Sequence, residues 1–328
     1  MNAARAPHDD ANGGLTRRFT LSRAREQVIQ FALLLCALVS IVTTVGIIFA
    51  LVSESVVEMS GSGKAFFQEV SAVEFFTETE WSPNFAGAQQ HFGILPLLVG
   101  TFMVAGVAAM FGLPIGILSA VYLSEYASPR VRSIIKPVLE LLAGVPSVVY
   151  GYFALIFITP YVLEPIFEDV FGMEVEVFNV LSAGIVVGIM TLPTVCSMSE
   201  DALRAVPRSL REAGYALGST KFDVSVKVVL PAAISGIVAS FLLAVSRAVG
   251  ETMAVAMAAG NTPSTAVSLL KGHQTMTGFI AQMSMGETPQ GTIEYKSLYA
   301  VGLSLFVITL VMNIVSQQVM RRFREVYQ

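Results

Sequence analysis

The sequence predicts an all-α integral membrane protein with six transmembrane helices and both termini in the cytoplasm. Of its 328 residues, 54% are hydrophobic and 13% are charged, and the mean hydropathy is +0.68. This composition is far from that of a soluble globular domain. Six apolar runs are long enough to cross about 30 Å of hydrocarbon as a helix. They comprise residues 31–52, 94–124, 141–163, 178–199, 231–261 and 298–320.

The distribution of Lys and Arg gives the orientation independently of hydropathy, because cytoplasmic loops of membrane proteins carry an excess of basic residues. Sixteen of the 20 Lys and Arg residues lie in segments 1–30, 125–140, 200–230 and 321–328. The three intervening loops contain only Lys64, Lys271 and Lys296, together with 13 of the 24 acidic residues. We therefore assign these three loops to the outer side of the membrane.

The predicted elements follow one another in a simple order. Residues 1–30 form a polar cytoplasmic tail, and residues 31–52 form a first span that is retained, because its apolar run is too long for a signal peptide and no small-residue cleavage site follows it. Residues 53–93 form the largest outer loop, and its aromatic side chains predict a small packed cap. Residues 94–320 contain the remaining five spans, and residues 321–328 form a cytoplasmic tail.

Proline and glycine interrupt three of the predicted spans, at residues 112–116, 144–147 and 191–194. A broken helix leaves backbone groups unpaired, which a membrane protein tolerates only where the break faces protein or a water-filled cavity. Three breaks together indicate a transport pathway. Ordinary kinks used for helix packing are the alternative.

The fifth span carries Arg247 and Glu251 within the sequence SRAVGETMAVAMAAGN, residues 246–261. Each charge at the centre of a span costs roughly 2.5–3.5 kcal/mol, so each needs a partner or a cavity. On a continuous helix the two side chains share one face and can pair. An ion pair that fixes the helix, a substrate path and an assembly contact all remain open.

A substrate path would suit an anion, because a guanidinium donates two parallel hydrogen bonds to an oxyanion and stays charged. We hypothesise a gate in which Glu251 neutralises Arg247 until an incoming anion competes for it. Ser147 follows the break at Pro146, and Thr191 and Thr194 flank Pro193. Hydroxyls at half-helix ends favour anions, although the alternative is that they bond back to their own helix.

Catalytic and metal chemistry find little support in the sequence. Cys36 and Cys196 and the three histidines lack ligand spacing, so we expect no metal site. The segment GSGKA at residues 61–65 resembles the end of a phosphate-binding loop, but Glu58 and Ala65 replace the required Gly and Ser or Thr. We therefore expect no ATPase site and no cofactor in this chain, and no basic stripe indicates nucleic acid.

The cytoplasmic loop 200–231 predicts two short helices. Pro207 can begin the first helix, Gly218 suits its left-handed end, and Thr220 with Asp223 forms a capping pattern for the second. The predicted apolar stripes are Leu210, Gly214 and Leu217 on the first helix and Phe222, Val226 and Val229 on the second. Such a unit suits docking into a groove of a partner protein; a packed loop without a partner is the alternative.

This loop resembles the EAA loop of the permease subunits of bacterial ABC importers, which couples them to ATP-binding subunits. That motif reads Glu-Ala-Ala, then Gly, nine residues, and Ile-x-Leu-Pro. The matching residues here are Glu212, Ala213, Gly218, Leu230 and Pro231, with Gly214 in place of the second Ala and Val228 in place of Ile.

Together with residues 81–101, 121–155 and 246–261, the chain resembles phosphate-specific permeases of the PstC type over residues 81–320. The resemblance implies a MetI-like fold, the bacterial cytoplasmic (inner) membrane, and inorganic phosphate as substrate. It also implies a PstA-type second permease, two PstB-type subunits that hold ATP and Mg²⁺, and a PstS-type binding protein.

Three other functions remain open at this point. The nearest is an importer of another oxyanion such as sulfate or molybdate, since the coupling loop is shared across substrates. An intramembrane enzyme that uses Glu251 as an acid or base is a second, and a component that reports phosphate status to a sensor is a third.

Overall fold

The computed structural model describes residues 21–57, 64–85, 89–286 and 288–323. Within these ranges the regular elements are helices, and a single isolated β-bridge joins Trp81 to Phe92. Most of the predicted N-terminal tail, residues 61–63 of the GSGKA segment and residues 324–328 lie outside the described residues.

Five helices of the described residues are long and apolar enough to cross a membrane. They are Arg25–Ser55, Leu95–Tyr126, Ser147–Val170, Val180–Ala205 and Ile293–Arg321, which we call spans one, two, three, four and six. Span five is interrupted. Its first part, Ile234–Val249, has 16 residues and meets the preceding helix, Lys221–Ala232, at an angle of 69°. The predicted six-span, all-α fold is therefore confirmed, with one span in pieces.

Span one belongs to a helix that runs over Leu21–Ser55, about ten residues earlier than the apolar run predicts. Polar residues such as Arg25 and Glu26 continue the helix because they are good helix formers. Residues up to Phe49 form one compact unit, and residues from Ala50 onward form the other. The apolar side chains of the first unit are exposed, as in Phe31 at 65%.

Spans two and four pack backbone against backbone through glycines. A Cβ added at Gly112 would lie 2.8 Å from Thr191 Oγ1, and one added at Gly184 would lie 2.4 Å from the Val107 side chain. Small residues allow this close approach in membrane helices. Two of the three predicted breaks are therefore wrong, because span two continues through Pro114 and span four through Pro193.

The third predicted break is real. Gly144, Val145 and Pro146 separate the helix Pro129–Ala143 from the start of span three at Ser147. Span three consequently begins six residues later than the apolar run at 141 predicts, because Leu141 and Leu142 end an amphipathic helix that precedes the break. Span three begins as the α-helix Ser147–Phe153 and continues with the wider π-helical turns Ala154–Leu163 and Pro165–Val170.

The outer loop after span one folds into the packed cap that its aromatic residues predict. Its short helices Phe66–Glu69 and Ala72–Thr77 bury Phe66 and Phe75, which meet edge to face with ring centroids 5.6 Å apart. The loop before span six contains a helix, Met276–Met285, that the sequence did not predict. Phe279 on this helix packs edge to face against Trp81 of the cap, so both outer segments share one apolar core.

Candidate anion site and coupling loop

Span five breaks between its two charged residues. The first half-helix ends at Val249, with Gly250 as its C-cap, and the second half-helix covers Met253–Ala258. Arg247 and Glu251 therefore do not share one helix face, and the expectation of a continuous helix is wrong. Among the described residues Arg247 forms no ion pair, so the predicted resting pair with Glu251 is not formed in this structure.

The two charges instead complement the helix ends that the break creates. Arg247 lies in the last turn of the first half-helix, where a cation meets the partly negative carbonyl end. The carboxylate of Glu251 accepts a hydrogen bond of 3.3 Å from the backbone N–H of Ala254 at the start of the second half-helix. The hydroxyl of Thr277 donates to the backbone oxygen of Glu251 at 2.7 Å, which gives the interrupted backbone a partner.

Arg247 is exposed, and in the part of the chain that the structure describes it makes one long side-chain hydrogen bond. Its Nη1 lies 3.5 Å from Oγ1 of Thr194 on span four. A guanidinium has five N–H donors, so most of its hydrogen-bonding capacity is available to a ligand. The neighbouring Ser246 hydroxyl donates to Asn313 Oδ1 of span six at 3.4 Å, so spans four, five and six meet around Arg247. Asn313 gives no signal in the sequence, because it is a lone amide in an apolar run.

The other predicted hydroxyls lie elsewhere. Thr191 is 2% exposed, and its hydroxyl donates to Gly188 O of its own helix at 2.9 Å, which is the alternative that the sequence left open. Ser147 is half-buried at the start of span three, and within the described chain no hydrogen bond joins it to Arg247 or Thr194. Of the predicted path residues, the structure brings only Arg247 and Thr194 together.

A cavity of about 200 Å³ extends from Thr194 toward the cytoplasmic end of span four. Its polar lining comes from two elements: Thr194, Ser197 and Glu200 on span four, and Lys136 and Glu140 on the helix Pro129–Ala143. Burial lowers the pKa of Lys136, but the neighbouring Glu200 and Asp201 outweigh this effect, so the pKa of Lys136 is raised and the amine stays charged. Two hydroxyls, two carboxylates and one cation therefore line a cavity that begins beside Thr194, the hydrogen-bond partner of Arg247.

Residues 200–231, which we call the coupling loop, contain the predicted pair of short helices. The first helix, which we call the coupling helix, covers Arg208–Ala216, and Gly218 follows it with a positive φ of 79°. The second helix begins at Lys221, and the hydroxyl of Thr220 accepts a hydrogen bond of 3.2 Å from the backbone N–H of Asp223. Hydrogen bonds from Lys227 and Thr220 lower the pKa of Asp223. Both capping predictions are confirmed.

The apolar stripes of this loop divide differently from the prediction. Gly214 packs against Val224, since a Cβ there would lie 2.9 Å from Val224 Cγ2, and Val229 is also buried. Leu217 and Phe222, by contrast, are 88% and 65% exposed. The stripes were drawn from helical spacing alone, and the second helix widens into a π-helical turn over Ser225–Val229, which shifts its faces.

The EAA-like positions lie in the same loop as these exposed side chains. Glu212 and Ala213 are exposed on the coupling helix, and Glu212 has no ion-pair or hydrogen-bond partner within the described residues. Leu230 and Pro231 begin the last turn, Leu230–Ala232, which ends where span five begins. Leu217, Phe222 and Glu212 are all exposed, so the loop offers both apolar and acidic groups to a partner.

Comparison with known proteins gives the family. Residues 112–325 match the family model described as "Binding-protein-dependent transport system inner membrane component". The chain is 34% identical over 306 residues to a Xylella fastidiosa phosphate transport system permease protein PstC, covering 89% of this chain and 90% of that protein. It is also 34% identical over 274 residues to the probable ABC transporter permease protein YqgH of Bacillus subtilis, covering 84% of each.

Two solved structures share the fold at low sequence identity. A bacterial ABC transporter involved in alginate import matches with a TM-score of 0.62 and 14% identity, covering 93% of this chain and 99% of that chain. The MetNI methionine ABC transporter matches with a TM-score of 0.51 and 18% identity, covering 71% and 95%. The fold is thus that of a MetI-like ABC transporter permease. With the family model matching well over half of its length, the chain belongs to the binding-protein-dependent transport system inner membrane components.

Proposed function

We propose that this protein is the permease subunit of an ATP-driven importer of inorganic phosphate in the bacterial inner membrane. The observation that carries the proposal is the exposed guanidinium of Arg247 at the break in span five, which has no ion-pair partner among the described residues. A discontinuous span that faces other spans is a common design for substrate sites in transporters. Several relatives of 31–34% identity are named as PstC phosphate permeases, which supports phosphate as the substrate.

The chemistry of Arg247 fits an oxyanion. Phosphate is strongly hydrated, so its passage needs fixed donors that replace water, and an arginine fork supplies two parallel donors and a permanent charge. Thr194 accepts the hydrogen bond from Arg247 and also lines the cavity of about 200 Å³ beside span four. Glu251 is engaged at the second half-helix, and within the described ranges no other carboxylate pairs with Arg247, so the anion has no such carboxylate to displace.

The partners follow from the family and from the exposed surface of the coupling loop. A binding-protein-dependent system requires a substrate-binding protein, a second permease and ATP-binding subunits. We assign these roles to PstS-type, PstA-type and PstB-type proteins, with ATP and Mg²⁺ held by the PstB-type pair. Exposed Leu217 and Phe222 with Glu212 form the docking surface for the ATP-binding subunit.

Uptake into proteoliposomes that contain the complete complex tests this proposal. We expect ATP-dependent uptake of radiolabelled phosphate that excess sulfate or molybdate does not compete away. Replacing Arg247→Ala should abolish uptake, and Arg247→Lys should reduce it by about tenfold or more, because lysine keeps the charge but loses the fork. Preferential uptake of sulfate or molybdate, or wild-type phosphate uptake by an assembled Arg247→Ala complex, would contradict the proposal.

A further inference from the structure

A second arginine joins the coupling helix to the inner end of span two. Arg211 lies on the coupling helix beside Glu212, and Glu125 lies in the π-helical turn Tyr122–Tyr126 that ends span two. Arg211 Nη2 is 3.0 Å from Glu125 Oε1, and Arg211 Nε is 3.5 Å from Glu125 Oε2. The guanidinium therefore contacts both carboxylate oxygens, 86 residues away in the sequence.

The same guanidinium also holds the end of span four. Nη1 of Arg211 donates to Val206 O at 2.5 Å, and Nη2 donates to Leu203 O at 2.7 Å. These carbonyls lie at the C-terminal end of span four, where the last carbonyl oxygens of a helix lack the N–H group one turn further along. From the backbone, Leu203 O accepts a long bond of 3.4 Å from the N–H of Val206. Arg211 thus fastens three elements to one another: the coupling helix, span two and span four.

Burial distinguishes the Arg211–Glu125 pair from the Asp223–Lys227 pair of the same loop. The side chains of Arg211 and Glu125 are 17% and 6% exposed. The Asp223–Lys227 pair on the second helix of the loop has side chains that are 34% and 73% exposed. Water screens an exposed pair and leaves it weak, whereas removing one partner of a buried pair leaves an uncompensated charge. The Arg211–Glu125 pair therefore resists separation when the loop moves.

The covalent route from the loop into span five is less rigid. The second helix of the loop passes through the wide turn Ser225–Val229 and meets Ile234–Val249 at an angle of 69°. The junction is at Ala233, whose backbone leaves helical geometry. A bend of this kind absorbs rotation, so chain continuity alone transmits little of the loop's movement to Arg247.

Spans two and four carry movement more directly. Their glycine contacts bring the backbones together, since a Cβ at Gly188 would lie 3.0 Å from Ala108 O. Two helices packed this closely move as one body, because packed interiors do not deform continuously. Thr194 belongs to span four and contacts Arg247 across the interface with span five.

We propose that the Arg211–Glu125 pair is the strut through which the coupling loop moves spans two and four, and that both are positioning residues for ATP-driven transport. The proposal rests on the function proposed above only in that the chain is coupled to an ATPase; it does not depend on which anion is carried. When ATP closes the partner subunits on the coupling helix, Arg211 moves with that helix, and Glu125 and the end of span four move with Arg211. Thr194 then shifts relative to Arg247.

The test measures substrate uptake and ATP hydrolysis in the same proteoliposomes, with the complete complex and phosphate as the probe. Glu125→Gln and Arg211→Gln remove the charges but keep polar side chains of similar size. We expect uptake per ATP hydrolysed to fall by about tenfold, with ATP hydrolysis within about twofold of wild type. The double variant should show the same uptake per ATP hydrolysed as either single variant, because all three lack the same interaction. Lys227→Gln, which removes the exposed pair, is the matched control and should leave the ratio unchanged.

Each outcome decides the question. An unchanged ratio in assembled Glu125→Gln or Arg211→Gln complexes overturns the strut, and so does a parallel fall of uptake and hydrolysis, which would assign Arg211 to docking. If the Gln variants do not assemble, Arg211→Lys keeps the charge without the fork and should give an intermediate ratio; a wild-type ratio there overturns the proposal. Failure of the wild-type complex to take up phosphate would contradict the proposed function, and the same ratio measured with the anion that is taken up would still test the strut.

Discussion

At the scale of single residues, Arg247 depends on its position at a helix end rather than on a neighbouring carboxylate. The break after Val249 places Arg247 in a final turn, where the carbonyl end of the helix favours a cation. The same break places Glu251 at the start of the next half-helix, where it accepts from Ala254 N–H. The two charges are close in sequence because each one stabilises a helix end at the same interruption of span five.

Glu251→Gln separates this explanation from a resting ion pair. The amide oxygen of glutamine can still accept the Ala254 N–H, and no ion pair is lost, so we expect phosphate uptake within about twofold of wild type. Glu251→Ala loses the acceptor and should lower stability by about 1 kcal/mol, measured as a lower midpoint of thermal unfolding. If uptake by Glu251→Gln were as low as uptake by Arg247→Ala, the result would support the hypothesis of an ion-pair gate instead.

Thr194 and Thr191 form a matched pair for mutation, three residues apart on span four. Thr194→Val removes the one side-chain hydrogen bond of Arg247 and should raise the KM for uptake by several-fold, on the order of one lost hydrogen bond to a charged group. Thr191→Val removes a hydroxyl that bonds only to its own helix, so KM should stay within about twofold. Equal effects of the two substitutions in the uptake assay would mean that Thr194 does not position Arg247.

At the scale of elements, the contact between spans two and four depends on the absence of side chains. Gly184→Ala places a Cβ 2.4 Å from Val107, and Val107 is 7% exposed and has little room to move. Overpacking of this kind should cost about 1–3 kcal/mol, detected as a lower midpoint of thermal unfolding of the purified protein. Gly106→Ala is the control on span two, because nothing lies within 4 Å of its added Cβ. A midpoint lowered equally by both changes would refute the close-packing argument.

The elements that follow from local chemistry are those that the sequence predicts well. Hydropathy predicts the number of the spans, and the conformations of Gly218 and Thr220 depend only on neighbouring backbone groups. Proline misled the prediction at Pro114 and Pro193, because whether a helix continues past a proline depends on what packs beside it. The outer helix Met276–Met285 was missed since its burial depends on the cap, which is about 200 residues distant in the chain.

In the candidate site, too, the sequence predicts local features and not contacts between distant residues. Arg247 stands out in the sequence because a charge inside an apolar run is costly. Its contact with Thr194 spans 53 residues, and the bond between Ser246 and Asn313 spans 67, so neither has a local signal. The sequence of the loop contains Arg211, but it does not show that Arg211 pairs with Glu125, because both the pairing and the burial come from the tertiary structure.

At the scale of the whole molecule, a buried carboxylate organises the cytoplasmic end beside the cavity. Glu200 is 1% exposed on span four. Its Oε1 lies 2.5 Å from Arg132 Nη2, and its Oε2 lies 3.3 Å from Lys136 Nζ, both on the helix Pro129–Ala143. Arg204 lies 3.8 Å away, one turn along span four. One carboxylate therefore contacts three cations and ties the helix that precedes span three to span four.

Glu200→Gln should destabilise the protein by about 1–3 kcal/mol, because Arg132, Lys136 and Arg204 then lose the buried carboxylate that they share. Asp201→Asn is the matched control, since Asp201 is 66% exposed and lies 3.5 Å from Lys136; an exposed pair contributes about 1 kcal/mol or less. Thermal unfolding of the purified protein compares the two variants, and a loss at Asp201 as large as that at Glu200 would contradict the role of burial. The Glu200 variant should also lose protection of Lys136 from amine-reactive reagents, because the helix Pro129–Ala143 is then no longer held against span four.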